Sequence, residues 1–184
     1  MDAPVPGTVD SIDRLSLSLG TDELTAVTAF AYLRLGMVAR SRQVAERMRG
    51  ADACLKGALM SEILLAEGRK GAALEQALDV YCADVSTAMA LGKCMAANGR
   101  HAEAVVYLRK ARRCMTESGC LFRLDEALQW EAESYLSLGN VDLASHLMEA
   151  AYCSAKNPGL SEALRNRADV VASEDGVGLQ GVHI

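Results

Sequence analysis

Apolar residues recur at helical spacing along most of the chain, and glycines interrupt the pattern at near-regular intervals. In Ala102–Arg113, the apolar Ala104, Val105, Leu108 and Ala111 fall on one face of a helix. Four short blocks align on a glycine: Tyr32-Leu33-Arg34-Leu35-Gly36, Leu64-Leu65-Ala66-Glu67-Gly68, Met95-Ala96-Ala97-Asn98-Gly99 and Tyr135-Leu136-Ser137-Leu138-Gly139. The glycines lie 32, 31 and 40 residues apart. Each is preceded, 14 to 16 residues earlier, by an aspartate: Asp22, Asp52, Asp84 and Asp125. An aspartate at a helix start accepts hydrogen bonds from orphan N–H groups and favours the positive end of the dipole. A glycine at a helix end reaches a left-handed conformation that other residues adopt only with strain. Five residues beyond each glycine stands a small side chain, Ser41, Ala73, Ala104 or Ala144, where two helices are expected to cross closely. The pattern predicts four helix–turn–helix units, the third interval being stretched by an enlarged loop over Met115–Cys120.

The chain ends read differently. Asn157-Pro158-Gly159 stops the last repeated helix, and Leu160–Ala172 forms one more, with Leu164, Ala168 and Val171 on a common face. Such a helix suits the capping of an exposed repeat end. The alternation Leu15-Ser16-Leu17-Ser18-Leu19 leaves Ser11–Gly20 open between a helical turn and an extended arm. The expected layout is a partly disordered arm over 1–20, a repeat array over 21–156, a capping helix over 157–172 and a flexible tail over 173–184.

Composition supports an all-α fold. Of 184 residues, 51% are hydrophobic but only 4% aromatic, so small and unbranched side chains carry the core, as close helix–helix packing requires. The three prolines (Pro4, Pro6 and Pro158) leave the middle of the chain free of helix breakers.

The run Ala90-Leu91-Gly92, then Gly99-Arg100-His101-Ala102-Glu103-Ala104 and Leu108-Arg109-Lys110-Ala111, resembles the tetratricopeptide signature. Tyr135, Gly139, Ala144 and Ala151 stand in matching places of the fourth unit, while the first two units are degenerate, with Ser41 for the small alanine. The resemblance covers about residues 22–152. It implies a short right-handed solenoid of about four repeats with a C-terminal capping helix. It further implies a concave surface lined by the first helix of each repeat. Counted back from the glycines, the groove positions are Ala26, Phe30, Leu33 and Arg34, then Leu55, Ala58, Glu62 and Leu65. Met89, Lys93 and Ala96 follow, and then Gln129, Glu133 and Leu136. Arrays that clamp a C-terminal carboxylate carry several cationic and amide side chains there. Here Lys93 is the position that fits that role, Arg34 being the one other cation, and the groove is otherwise small and apolar with scattered charges. That favours an apolar ligand segment recognised by shape and water exclusion.

No catalytic constellation is legible. His101, His146 and His183 belong to no metal motif, and neither GxSxG nor a phosphate-cradling glycine loop occurs. The expectation is a non-enzymatic chain without cofactor or metal. Net charge of −5 argues against nucleic acid as the main partner. The clusters Arg40, Arg42, Arg47, Arg49 and Arg109, Lys110, Arg112, Arg113 read first as solvated helix faces, with docking of an acidic partner as the alternative. No apolar run reaches the roughly 18 residues of a membrane span. Met1-Asp2-Ala3-Pro4 lacks the features of a cleaved signal peptide. Six cysteines show no zinc spacing, so reduced structural thiols and a cytoplasmic location are expected, with Cys114 and Cys120 the one pair to test for a disulfide.

In repeat layout, from Ala31-Tyr32-Leu33-Arg34-Leu35-Gly36 through Gly68 to Ala102-Glu103-Ala104, the chain is similar to the small cytosolic tetratricopeptide chaperones of type III secretion. That resemblance implies a protein partner, a secreted or apparatus subunit whose apolar helix or extended segment is held before export. A structural adaptor or regulatory scaffold linking two proteins is the alternative. Self-association into a homodimer is left open by the sequence.

Overall fold

A computed structural model describes residues 22–48, 53–119 and 122–154. Among the described residues there are eight helices and no strand. They are α1 (Asp22–Arg34), α2 (Val38–Glu46), α3 (Ala53–Ala66), α4 (Lys70–Asp79), α5 (Val85–Ala97), α6 (His101–Ser118), α7 (Leu124–Ser137) and α8 (Val141–Ser154). The chain divides into two compact units, one ending at Asn98 and the other beginning at Gly99.

Glycine ends the first helix of each pair, as the sequence pattern requires. Gly36, Gly68, Gly99 and Gly139 have φ of 71°, 79°, 77° and 79°. Three of these turns share one hydrogen-bond pattern. Gly36 N–H donates to Leu33 O and Met37 N–H to Tyr32 O. Gly68 and Arg69 donate likewise to Leu65 and Leu64, and Gly139 and Asn140 to Leu136 and Tyr135. This is the Schellman arrangement, which satisfies the last carbonyls of a helix at the moment the chain reverses. The next helix then starts within two residues. At α8 the Oδ1 of Asn140 helps by accepting from Leu143 N–H at 3.3 Å.

The tight reversal brings paired helices into close contact, and the small residue five places on sits at the contact. Ser41, Ala73, Ala104 and Ala144 are all fully buried. Ser41 shows how close the approach is: its Oγ donates to the carbonyl of Ala29 on α1 at 2.9 Å.

In the first unit α1, α3 and α5 pack successively against one another, and α2 and α4 each pack against the helices on either side of them in sequence. The core gathers Ala29, Phe30, Tyr32, Ala45, Met48, Leu59 and Ile63, with Leu33, Leu55 and Met60 packed at its margin. Gly57 is a second kind of glycine. A Cβ built on it would lie 2.3 Å from Cγ1 of Val80, so its missing side chain lets the residue after α4 rest on α3. In the second unit α6 packs on α7 and α7 on α8, around Leu128, Ala132, Ala144, Leu147, Met148 and Ala151.

One element differs from expectation. Met115–Ser118 belongs to α6, which runs 18 residues, and not to an enlarged loop. Met115 continues the buried stripe of Ala104, Leu108 and Ala111 and is itself 2% exposed. Burial of that methionine holds the helix for one more turn, until Gly119 at φ 70° ends it. The arm over 1–20, the capping helix over 157–172, the tail over 173–184, Asp52, Arg49, Cys120 and His183 lie outside the described residues.

Candidate partner-binding surface

The positions read as a groove fall into three environments. Phe30, Ala58, Glu62, Met89, Lys93 and Ala96 are buried, as is Ala26. Leu33, Leu55, Leu65, Gln129, Glu133 and Leu136 are half-buried, and Arg34 is exposed. Phe30 packs within the core of the first unit beside Tyr32 and Ile63, so its ring acts between helices rather than on a face open to a ligand. The physical reason is visible in α5, where every residue from Thr87 to Ala96 is buried. A helix enclosed on all sides has no polar stripe, and periodicity then cannot tell a groove position from a core one.

Lys93 does not stand ready as a carboxylate clamp. Its Nζ donates to Oε2 of Glu62 across the α3–α5 contact, and the two side chains are 9% and 2% exposed. The sequence placed both residues in the groove but did not show that they neutralise each other. Their separation of 31 residues is one repeat period, a signal that could have suggested the pairing. Beside them, burial pushes the Cys94 thiol up to about 12, with the Glu62 carboxylate adding to the rise and Lys93 opposing it. Cys94 is therefore a neutral core thiol.

A second buried carboxylate, Glu131 on α7, had no sequence signal beyond its position among apolar neighbours. It accepts from Nε of Arg112 at 2.7 Å and lies 3.9 Å from Nε of Arg109, both on α6. Nearby on α7, Gln129 Nε2 donates to Glu133 Oε1 at 3.0 Å. These two residues thus form a polar pair one helical turn apart.

The capping aspartates behave unequally. Asp84 is the N-cap of α5, its Oδ1 accepting from Ser86 N–H at 2.7 Å and Thr87 N–H at 3.1 Å. Its Oδ2 accepts from Thr87 Oγ1 and Cys82 Sγ, each at 2.7 Å. Asp125 is instead the second residue of α7, buried, behind an Arg123 with φ of 67°. Arg123 binds Glu126 through Nε at 2.7 Å.

Of the first arginine cluster, Arg42 pairs with Glu67 at 2.7 Å, and the guanidinium of Arg40 lies over the Tyr32 ring at 5.9 Å. His101 opens α6, and His146 is exposed on α8. Cys82, Cys94, Cys114 and Cys153 are free thiols. Among the described residues no group of three His, Cys, Asp or Glu side chains is placed to hold a metal ion. No helix among them is long and apolar enough to cross a membrane. No family model, curated protein or solved structure matches the chain.

Proposed function

We propose that the chain is a non-enzymatic helical-repeat protein of the tetratricopeptide kind that binds another protein. Within that class, the resemblance in repeat layout supports a type III secretion chaperone that holds an apolar segment of an export substrate or apparatus subunit. The observation that carries the class is the recurrence of one hairpin. Gly36, Gly68 and Gly139 end a first helix with the same pair of hydrogen bonds, and each is followed by a fully buried small residue five places on. The successive packing of α1, α3 and α5 adds to it, since stacking of first helices is how repeat proteins build extended binding surfaces.

On this reading the ligand's apolar contacts in the first unit fall to the half-buried Leu33, Leu55 and Leu65. The buried Phe30 belongs to the core against which Leu33 and Leu55 pack. Co-expression with candidate helical export substrates tests the proposal. A substrate that becomes soluble and co-purifies with the chain is the expected outcome, and failure of every candidate to do either removes the chaperone reading. The adaptor reading is favoured by one fact, the division into two units that each have their own packing. It requires two different proteins to be captured at once.

A further inference from the structure

α6 carries a face that packing among the described helices does not use. Its buried stripe is Ala104, Val105, Leu108, Ala111 and Met115. Arg109, Lys110 and Arg113 lie three, four and seven residues along from Val106 and so share with it a different side of the helix. Val106 is 63% exposed, and the side chains of Arg109 and Arg113 are 60% and 78% exposed. These residues, with Arg112, Cys114 and Thr116, line an open cleft of about 590 Å³. Its described lining carries four cations and no carboxylate.

Two carboxylates beside the cleft order the cations. Glu131, buried beneath α6, fixes Arg112 at 2.7 Å and lies 3.9 Å from Nε of Arg109. Glu117 accepts from Nε of Arg113 at 2.9 Å. The contacts to Arg109 and Arg113 engage the inner nitrogen of the guanidinium fork, whose planar ends suit a second carboxylate, whereas Arg112 also gives an outer nitrogen to Glu131 at 3.4 Å. An exposed valine among such cations adds a place for an apolar side chain.

We propose that this face of α6 docks a short acidic peptide segment of another protein, its carboxylates meeting Arg109 and Arg113 and an apolar side chain resting on Val106. The two arginines are one turn apart, about 6 Å along the axis, which matches acidic residues spaced one turn apart on a helical ligand. A long polyanion fits less well, because the chain as a whole carries a net charge of −5. None of these residues belongs to the groove positions, so this site and the proposed groove succeed or fail separately.

Fluorescence anisotropy with the full chain tests the assignment. The probe is a labelled peptide of about twelve residues with glutamates one turn apart and a leucine between them. Its glutamine counterpart and a single-stranded oligonucleotide of similar length serve as comparisons. The glutamate peptide should bind, weaken as salt is raised to about 0.3 M, and lose about tenfold in affinity for Arg109→Gln/Arg113→Gln. Arg69→Gln/Lys70→Gln, altered at exposed positions elsewhere, should bind as the unchanged protein does. Unaltered helical circular dichroism of the α6 double variant excludes loss of fold as the cause. Equal binding by the α6 double variant, equal binding of the glutamate and glutamine peptides, or no binding up to about 1 mM overturns the proposal. Tighter binding of the oligonucleotide overturns it in favour of a polyanion site.

Discussion

At the scale of single residues, the energetics centre on charges that folding removes from water. Lys93 and Glu62 meet inside the first unit, where desolvation is costly and only mutual pairing offsets it. Lys93→Met strands a buried carboxylate and should lower stability by about 3 kcal/mol in urea unfolding, whereas Lys93→Met combined with Glu62→Leu should recover most of that loss. Asp84 is the opposite case, an accessible carboxylate stabilised by local hydrogen bonds. Burial works to raise its pKa, but donation from Cys82, Thr87 and the Ser86 and Thr87 N–H groups outweighs it, and the pKa falls below the ordinary 3.8. A carboxyl lowered on folding stabilises above its unfolded pKa and loses that contribution as pH falls through the folded one. Asp84→Ala should cost about 1 kcal/mol at neutral pH. The difference from the unchanged protein should shrink as the pH drops below 3.8, which unfolding curves at several pH values would follow. Cys94, neutral and buried, should resist iodoacetamide in the native protein while the exposed Cys82 and Cys153 are alkylated, as mass spectrometry would read.

At the scale of elements, two glycines in one unit do different work, and the same substitution separates them. Gly68 has φ of 79° with open space where a Cβ would go, so Gly68→Ala meets backbone strain alone, about 1 kcal/mol. Gly57 lies in a regular helix, and there Gly57→Ala gains helix propensity but drives a methyl into Val80. Overpacking should win by about 1–2 kcal/mol, and Val80→Ala should reduce that cost where it leaves the cost of Gly68→Ala unchanged. A double-mutant cycle on thermal unfolding distinguishes the two mechanisms. The same balance of local and packed terms explains α6. Its last turn contains Thr116 and Ser118, weak helix formers whose hydroxyls bond back to Arg112, Arg113 and Met115 carbonyls, yet the buried Met115 keeps the turn helical.

At the scale of the molecule, each unit builds its interior from side chains that the sequence marks only as apolar. Phe30→Asp should abolish helical circular dichroism in the first unit's share of the signal, because the new carboxylate would sit without solvent among Tyr32, Leu59 and Ile63. Leu65→Asp, at a half-buried position, should keep the helical spectrum and weaken capture of a protein partner. Loss of helix in both variants would return Leu65 to the core and remove it from any binding surface.

The sequence by itself determined the all-α class, the positions of the glycine turns and the small residues at helix contacts. Each of these is fixed locally, by a backbone conformation that Gly36, Gly68, Gly99 and Gly139 reach easily and by the room that Ala73, Ala104 and Ala144 leave. Only the tertiary structure decided which side of each first helix faces inward, because α5 is buried on every side from Thr87 to Ala96 and α3 nearly so from Gly57 to Ile63. It also decided that Lys93 is bound to Glu62 and that Arg112 is held by Glu131, pairings made between residues 31 and 19 positions apart. Burial depends on what packs against a side chain from elsewhere in the chain, and helical periodicity records only the helix's own faces.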